Sequence, residues 1–140
     1  MRPWTIDGGV AVDDRGSVRF VNDFTFSNIS RFYQVENHKR GTVRAWHGHK
    51  TEAKYVYVVK GSAKIATVSM REDDPTPKVC VMSDKNPQVL YVPEMHYNGF
   101  QTLEEDTIVM FFSTKPLEDS LKDDFREDWN KWNVWEDDYR

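Results

Sequence analysis

The chain has 140 residues, a formal charge of −4, 39% hydrophobic and 30% charged residues. A length of about 100 to 200 residues usually makes one compact core, so a single domain over residues 1–140 is expected. The acidic balance argues against a general nucleic-acid binder, whose phosphate contacts need a basic surface. No apolar run approaches the roughly 18 residues that a membrane-crossing helix needs, and the opening MRPWTIDGG has no apolar signal core, so a cytoplasmic protein is expected.

Asp7-Gly8-Gly9 and Asp14-Arg15-Gly16 carry turn chemistry between short apolar runs, which predicts two short strands around them. Phe24, Phe26, Ile29, Phe32, Tyr33 and Val35 follow and end in a polar turn over residues 36–41, where Asn37 to Lys39 are expected to be exposed. KYVYVV, starting at Lys54, is dense in β-branched and aromatic residues; Gly61 interrupts it and SAKIATVSM alternates. Together the two runs predict a hairpin. REDDPTPK, with two prolines and three acids, is a solvated loop, and VCVM, QVLYVP and TIVMFFST complete the series of short strands. Cys80 has no second cysteine to pair with and reads as a buried strand residue. Short strands broken by Gly, Pro and Asn turns make an all-β sandwich or barrel.

The end of the chain is different. Residues 118–140 hold Phe125, Trp129, Trp132, Trp135 and Tyr139 among many charges. Spacings of three and four suit one helical face, while Asn130, Asn133 and NVW suit an extended segment. So many large aromatics are expected to pack over the sandwich or between subunits, or to cap a ligand pocket.

Residues 41–61, GTVRAWHGHKTEAKYVYVVKG, concentrate the candidate chemistry. His47 and His49 share one face of a regular strand, and with Lys54 they would form a cationic floor for phosphate, carboxylate or an enolate. Read without that context, the two histidines could simply be hydrogen-bonded barrel residues. The planar fork of Arg44 suits phosphate, but its strand parity differs from that of His47. It therefore reaches the same pocket only through a bulge or from a neighbouring subunit. Lys50 and Lys60 are expected to be solvated, with Glu52 paired to one of them. Among Tyr33, Tyr55, Tyr57 and Tyr97, a phenol standing in the pocket would be the candidate acid.

The spacing Gly41, five residues, His47, one residue, His49, four residues, Lys54, six residues, Gly61 resembles the first motif of the cupin superfamily, and PEMHYNGF resembles the second. The resemblance implies an all-β jelly-roll barrel, the double-stranded β-helix, ending in the aromatic C-terminal segment. In metal-binding cupins a glutamate stands where Lys54 does and a histidine where Asn98 does, with His96 two residues too early. An ammonium in place of a carboxylate sets positive charge against the cation, so no metal is expected.

Within the cupins, DDRGS, VRAWHGHK, KYVYVVKGSA, LYVPEMHYNGFQTL and DDFREDWNKW most resemble the dTDP-4-dehydrorhamnose 3,5-epimerase group and its sugar-nucleotide ketoisomerase relatives. That resemblance implies an isomerase acting, without metal or other cofactor, on a nucleotide-linked 4-keto-6-deoxy sugar in deoxysugar and surface-polysaccharide biosynthesis. It assigns His47 as base, Lys54 as the group that polarises the ketone, and Arg44 to the nucleotide phosphates. His49 joins the catalytic set because His47, His49 and Lys50 match the HxHK pattern of the ketoisomerases. Tyr33, His96, Tyr97 and Asn98 are substrate-binding candidates beside Arg44. The epimerases' tyrosine acid falls at Phe112, in VMFFST. Epimerisation at C3, or at C3 and C5, is the first expectation; a 3,4-ketone shift using His47 and His49 is the alternative. A non-catalytic sugar-nucleotide-binding cupin and a metal-dependent oxygenase, which would need a further carboxylate ligand, stand behind them. The family resemblance also implies a homodimer with the N-terminal strands at its interface.

Overall fold

The computed structural model describes residues 1–135; Tyr139, expected to pack with the other C-terminal aromatics, lies outside the described residues. The strands are β1 (Trp4–Asp7), β2 (Gly9–Asp13), β3 (Gly16–Phe20), β4 (Arg31–Asn37), β5 (Val43–His49), β6 (Lys54–Lys60), β7 (Ser62–Ser69), β8 (Lys78–Ser83), β9 (Gln88–Val92), β10 (His96–Thr102), β11 (Thr107–Ser113) and β12 (Phe125–Arg126), with one short helix, α1 (Leu117–Leu121). One five-stranded sheet runs β1-β9-β6-β11-β4, a second runs β12-β5-β10-β7-β8, and β2 and β3 form a separate hairpin. This is the all-β jelly-roll barrel expected from the sequence. No helix among the described residues is long and apolar enough to cross a membrane.

The core lies between the two sheets because each strand sends alternate side chains inward. Val56 and Val58 of β6, Val109 and Phe111 of β11, Ile65 of β7 and Phe100 of β10 meet in one cluster. Cys80 packs against it, half-buried on the edge strand β8, while its neighbours Val79 and Val81 face out. The hairpin expected between β6 and β7 does not form. β6 pairs with β9 and β11, and β7 with β8 and β10, so the chain leaves one sheet for the other at Gly61. Gly61 has φ +85°, and a Cβ there would collide with the Thr107 side chain. A residue with any side chain would therefore be strained at this crossing.

The two outer faces are treated differently. On the first sheet a chain of aromatic contacts runs from Trp4 through Tyr91, Tyr55 and Phe24 to Phe112, Phe26 and Phe32, and Trp4, Phe26 and Phe32 are exposed. On the second sheet the face is covered by the C-terminal segment. Trp46 is fully buried against Trp132 and Trp135, Tyr97 packs on Trp132, and both Trp46 Nε1 and Trp135 Nε1 donate to the Trp129 carbonyl. Aromatic pairs of this kind contribute about 0.5–1.5 kcal/mol each beyond the area they bury. The segment is thus neither one helix nor one strand: α1 and β12 come first, and the tryptophans then wrap the sheet.

Candidate active site

β5 and β10 form the seam on which the site is built. In register His49 faces His96 and His47 faces Asn98; the register then shifts, so that Arg44 faces Phe100. Ala45 and Trp46 therefore stand opposite the single residue Gly99, a β-bulge. A Cβ on Gly99 would run into Ala45, so glycine is what lets the strands close there. The bulge reverses the parity that separates Arg44 from His47, and both line one pocket within a single chain. Trp46 meanwhile points outward into the tryptophan cluster.

The pocket has a volume of about 260 Å³. The second sheet lends it Arg44, His47, His49, Asn98 and Phe100; the first lends Tyr33 and Val35 from β4, Lys54 from the start of β6, and Phe111 from β11. Ser120, Leu121, Asp124 and Arg126 close one side, so the C-terminal segment covers the outer sheet and caps the pocket as well. Lys54 Nζ donates to the Tyr33 hydroxyl oxygen at 2.8 Å, and Tyr33 is stacked on Phe111. Arg44 Nε donates to Asn37 Oδ1 at 2.7 Å. Asn98 Nδ2 donates to the His47 carbonyl at 3.3 Å, which ties the two motif strands together.

Both pocket imidazoles are held below the ordinary value of 6.5. For His47 burial is the main cause, with Arg126 and Lys54 adding to it and Asp124 opposing. For His49 burial again leads and Lys54 adds, against the opposing charge of Glu52. His49 Nδ1 hydrogen-bonds to the Asp123 backbone carbonyl; a carbonyl only accepts, so the proton sits on Nδ1. The Asp123 carboxylate accepts from the N–H groups of Lys50 and Thr51 at 2.8 Å each and from the Thr51 hydroxyl at 2.8 Å. Burial works to raise Asp123, but these hydrogen bonds outweigh it and hold the carboxyl below its usual range.

Of the residues singled out in the sequence, Arg44, His47, His49, Lys54, Tyr33 and Asn98 converge on this pocket. His96 does not join them. It faces a separate hollow with Thr67, Ser69 and Lys78, and its Nδ1 bonds to the Glu94 carbonyl at 2.9 Å. Tyr97 points to the outer face, onto Trp132. Tyr55 also lies outside the pocket, against Phe24 and Tyr91, and among the described residues Tyr33 is the phenol that lines it. The phenyl ring facing the pocket from β11 is Phe111, not Phe112, which packs against Phe24 and Phe26 on the opposite face.

Two further expectations change. Asn37 is buried and not exposed, because Arg31, Tyr33, Val35 and Asn37 form the inward row of β4 and Asn37 ends it. That alternation was available in the sequence. Glu52 pairs with neither Lys50 nor Lys60; its carboxylate is buried 3.4 Å from His49 Nε2, 3.7 Å from Lys54 Nζ and 3.9 Å from an Arg31 nitrogen. Asp124 and Arg126 reach the site from DDFRED, a stretch whose charge alone marks a solvated segment. Among the described residues no group of three or more His, Cys, Asp or Glu is arranged to hold a metal.

The family described as dTDP-4-dehydrorhamnose 3,5-epimerase matches residues 4–133 of the chain. No curated protein matches it. Among solved structures, the dTDP-4-dehydrorhamnose 3,5-epimerase of Bacillus anthracis, solved with TDP and pyrophosphate, is similar with a TM-score of 0.80 at 23% identity over 94% of this chain and 83% of that one. The rmlC epimerase of Mycobacterium tuberculosis gives 0.75 at 22% identity, over 89% and 68%. A 3,4-ketoisomerase from Helicobacter canadensis gives 0.71 at 16% identity, over 94% and 95%. At these identities the structural likenesses establish the fold.

Proposed function

The chain belongs to the dTDP-4-dehydrorhamnose 3,5-epimerase family, and on that premise we propose that it is an isomerase of a nucleotide-linked 4-keto-6-deoxy sugar, working by proton removal next to the ketone. The observation that carries this reading is one pocket with His47 on one sheet and the Lys54–Tyr33 pair on the other. An imidazole biased toward its neutral form is a base at pH 7. A fixed ammonium stabilises the enolate oxygen that appears as the proton leaves. Lys54 gives one hydrogen to the Tyr33 oxygen, so the phenol's own hydrogen is free to be donated into the pocket. Arg44, braced by Asn37, is the phosphate anchor, and Asn98 joins the substrate-binding set.

The reaction balances within these groups. His47 takes the proton from C3 while Lys54 and Tyr33 receive the negative charge on the ketone oxygen. Returning a proton to the opposite face of C3, and then acting likewise at C5, gives epimerisation. A second reading is favoured by His49, which lines the same pocket as a second imidazole: once His47 has taken the C3 proton, protonating the enolate oxygen at C4, removing the C3 hydroxyl proton and delivering a proton to C4 moves the ketone to C3. Nuclear magnetic resonance of the products from a dTDP-4-keto-6-deoxyhexose separates the two. An inverted C3 or C5 with the ketone at C4 marks epimerisation, a C3 ketone marks the shift, and unchanged substrate that still binds would make the protein a sugar-nucleotide-binding cupin and sink the enzymatic reading.

The same proposal takes residues 1–140 as one domain in the cytoplasm, requiring no metal or other cofactor and no nucleic-acid or membrane partner. It takes the protein as a homodimer: the exposed aromatics of the first sheet and Val12 and Val18 of the β2–β3 hairpin are the surface a second copy would cover.

A further inference from the structure

Glu52 is the buried charge that the reading above does not use. It sits in the short loop between β5 and β6 and is 2% exposed. Its place is fixed by the backbone: its N–H donates to the Asp123 carboxylate at 3.2 Å, and the next residue, Ala53, donates to Thr114 Oγ1 at 2.9 Å. Neither carboxylate oxygen has a hydrogen-bond partner among the described residues. Three cationic or ionisable side chains surround it at ion-pair distance, namely His49, Lys54 and Arg31. A carboxylate buried this way costs more than an apolar residue of the same size, so packing does not account for it. Each neighbour leads onward to the pocket. His49 lines it, Arg31 donates to Ser120 Oγ of α1 at 3.2 Å, and Lys54 donates to Tyr33.

We propose that Glu52 is a positioning residue that acts through Lys54: a carboxylate that never touches substrate balances the ammonium from behind and turns it toward Tyr33 and the ketone. The inference rests on the reading of the pocket as a site of proton transfer. Lys54 carries three hydrogens. One is held by the Tyr33 oxygen, one faces Glu52, and the third is left for the developing enolate. Without Glu52 the ammonium keeps its place in the chain but loses the charge that sets its direction, so the damage falls on the step where charge develops and not on nucleotide binding.

The test is a double-mutant cycle with Glu52→Gln, which keeps the shape and removes the charge, and Lys54→Met, scored by solvent-deuterium exchange into a dTDP-4-keto-6-deoxyhexose. Glu52→Gln is expected to lower kcat about 50-fold with KM within about threefold, and to cost less than about threefold further once Lys54 is already methionine. Fold losses that multiply across the two sites overturn the proposal, since a merely structural glutamate would add its effect regardless of Lys54. Glu52→Asp, which keeps the charge, should recover most of the rate; an aspartate variant as slow as the glutamine one also overturns it. Should Glu52→Gln not fold, Glu52→Met, an apolar side chain of similar length that also removes the charge, is run through the same cycle. If the wild-type protein shows no exchange, the enzymatic reading fails on its own, and binding then decides for Glu52: the gain in affinity for the keto sugar nucleotide over dTDP disappears in Glu52→Gln and Lys54→Met alike, and a gain kept in Glu52→Gln refutes its role.

Discussion

The two walls of the pocket are made of different chemistry. Each wall carries a phenyl ring, Phe100 on one and Phe111 on the other, but the β5–β10 wall adds two imidazoles, an amide and a guanidinium, while the β4–β6–β11 wall adds an ammonium, a phenol and Val35. The first wall can accept a proton and hold phosphate; the second can hold negative charge and give a proton back. On the proposed reading, the difference teaches that the jelly roll sets base and electrophile on separate sheets. A flat sugar ketone between them would then meet one on its ring face and the other at its oxygen, and proximity would supply part of the rate.

Breaking the basic wall should have the largest effect. His47→Asn removes the base and keeps the shape, so exchange into substrate is expected to fall about 10³-fold with dTDP affinity, read by calorimetry, nearly unchanged. Unchanged turnover in that variant would mean the wall assignment is wrong. On the opposite wall Tyr33→Phe leaves Lys54 in place and removes only the phenolic proton, for an expected loss of about 10- to 100-fold in kcat. A loss as large as that of His47 would instead make Tyr33 the principal acid–base group.

Arg44→Ala tests the far end of the basic wall. KM should rise about tenfold while kcat stays within a few-fold, and an equal KM would make Arg44 structural. The smallest effect expected is in pH. As the proposed base His47 must be neutral, and burial holds it below the ordinary 6.5, so the rate should hold as pH falls through 6.5 and drop only lower, through that depressed value. Asp124 is the charge that raises His47 against burial. Asp124→Asn should therefore move the acid limb further down, by less than about one pH unit, and a limb that moves upward would contradict the placement of Asp124 beside the base.

Much of the fold and about half of the site were legible in the sequence. Strand periodicity and turn residues marked most of the barrel strands, and the His47, His49, Lys54 spacing marked the seam. What was missed has physical causes. KYVYVV and SAKIATVSM read as a hairpin because local pattern does not say whether a glycine turns the chain back or passes it to another sheet. Arg44 shares the pocket through a bulge whose signal, Gly99, lies on the partner strand. Glu52 looked like a surface charge because burial depends on the loop bound by Asp123, more than 70 positions away in the chain. Phe111 and Phe112 were separated only by register, since a one-residue slip exchanges the two faces.

The central claim is that His47 and Lys54 labilise the proton next to a ketone. The most direct measurement is incubation of the wild-type protein with a dTDP-4-keto-6-deoxyhexose in deuterated water, with deuterium read at C3 and C5. The account predicts incorporation at C3 at least, faster than the solvent background by orders of magnitude. Substrate that binds and returns with no deuterium at either carbon would contradict it.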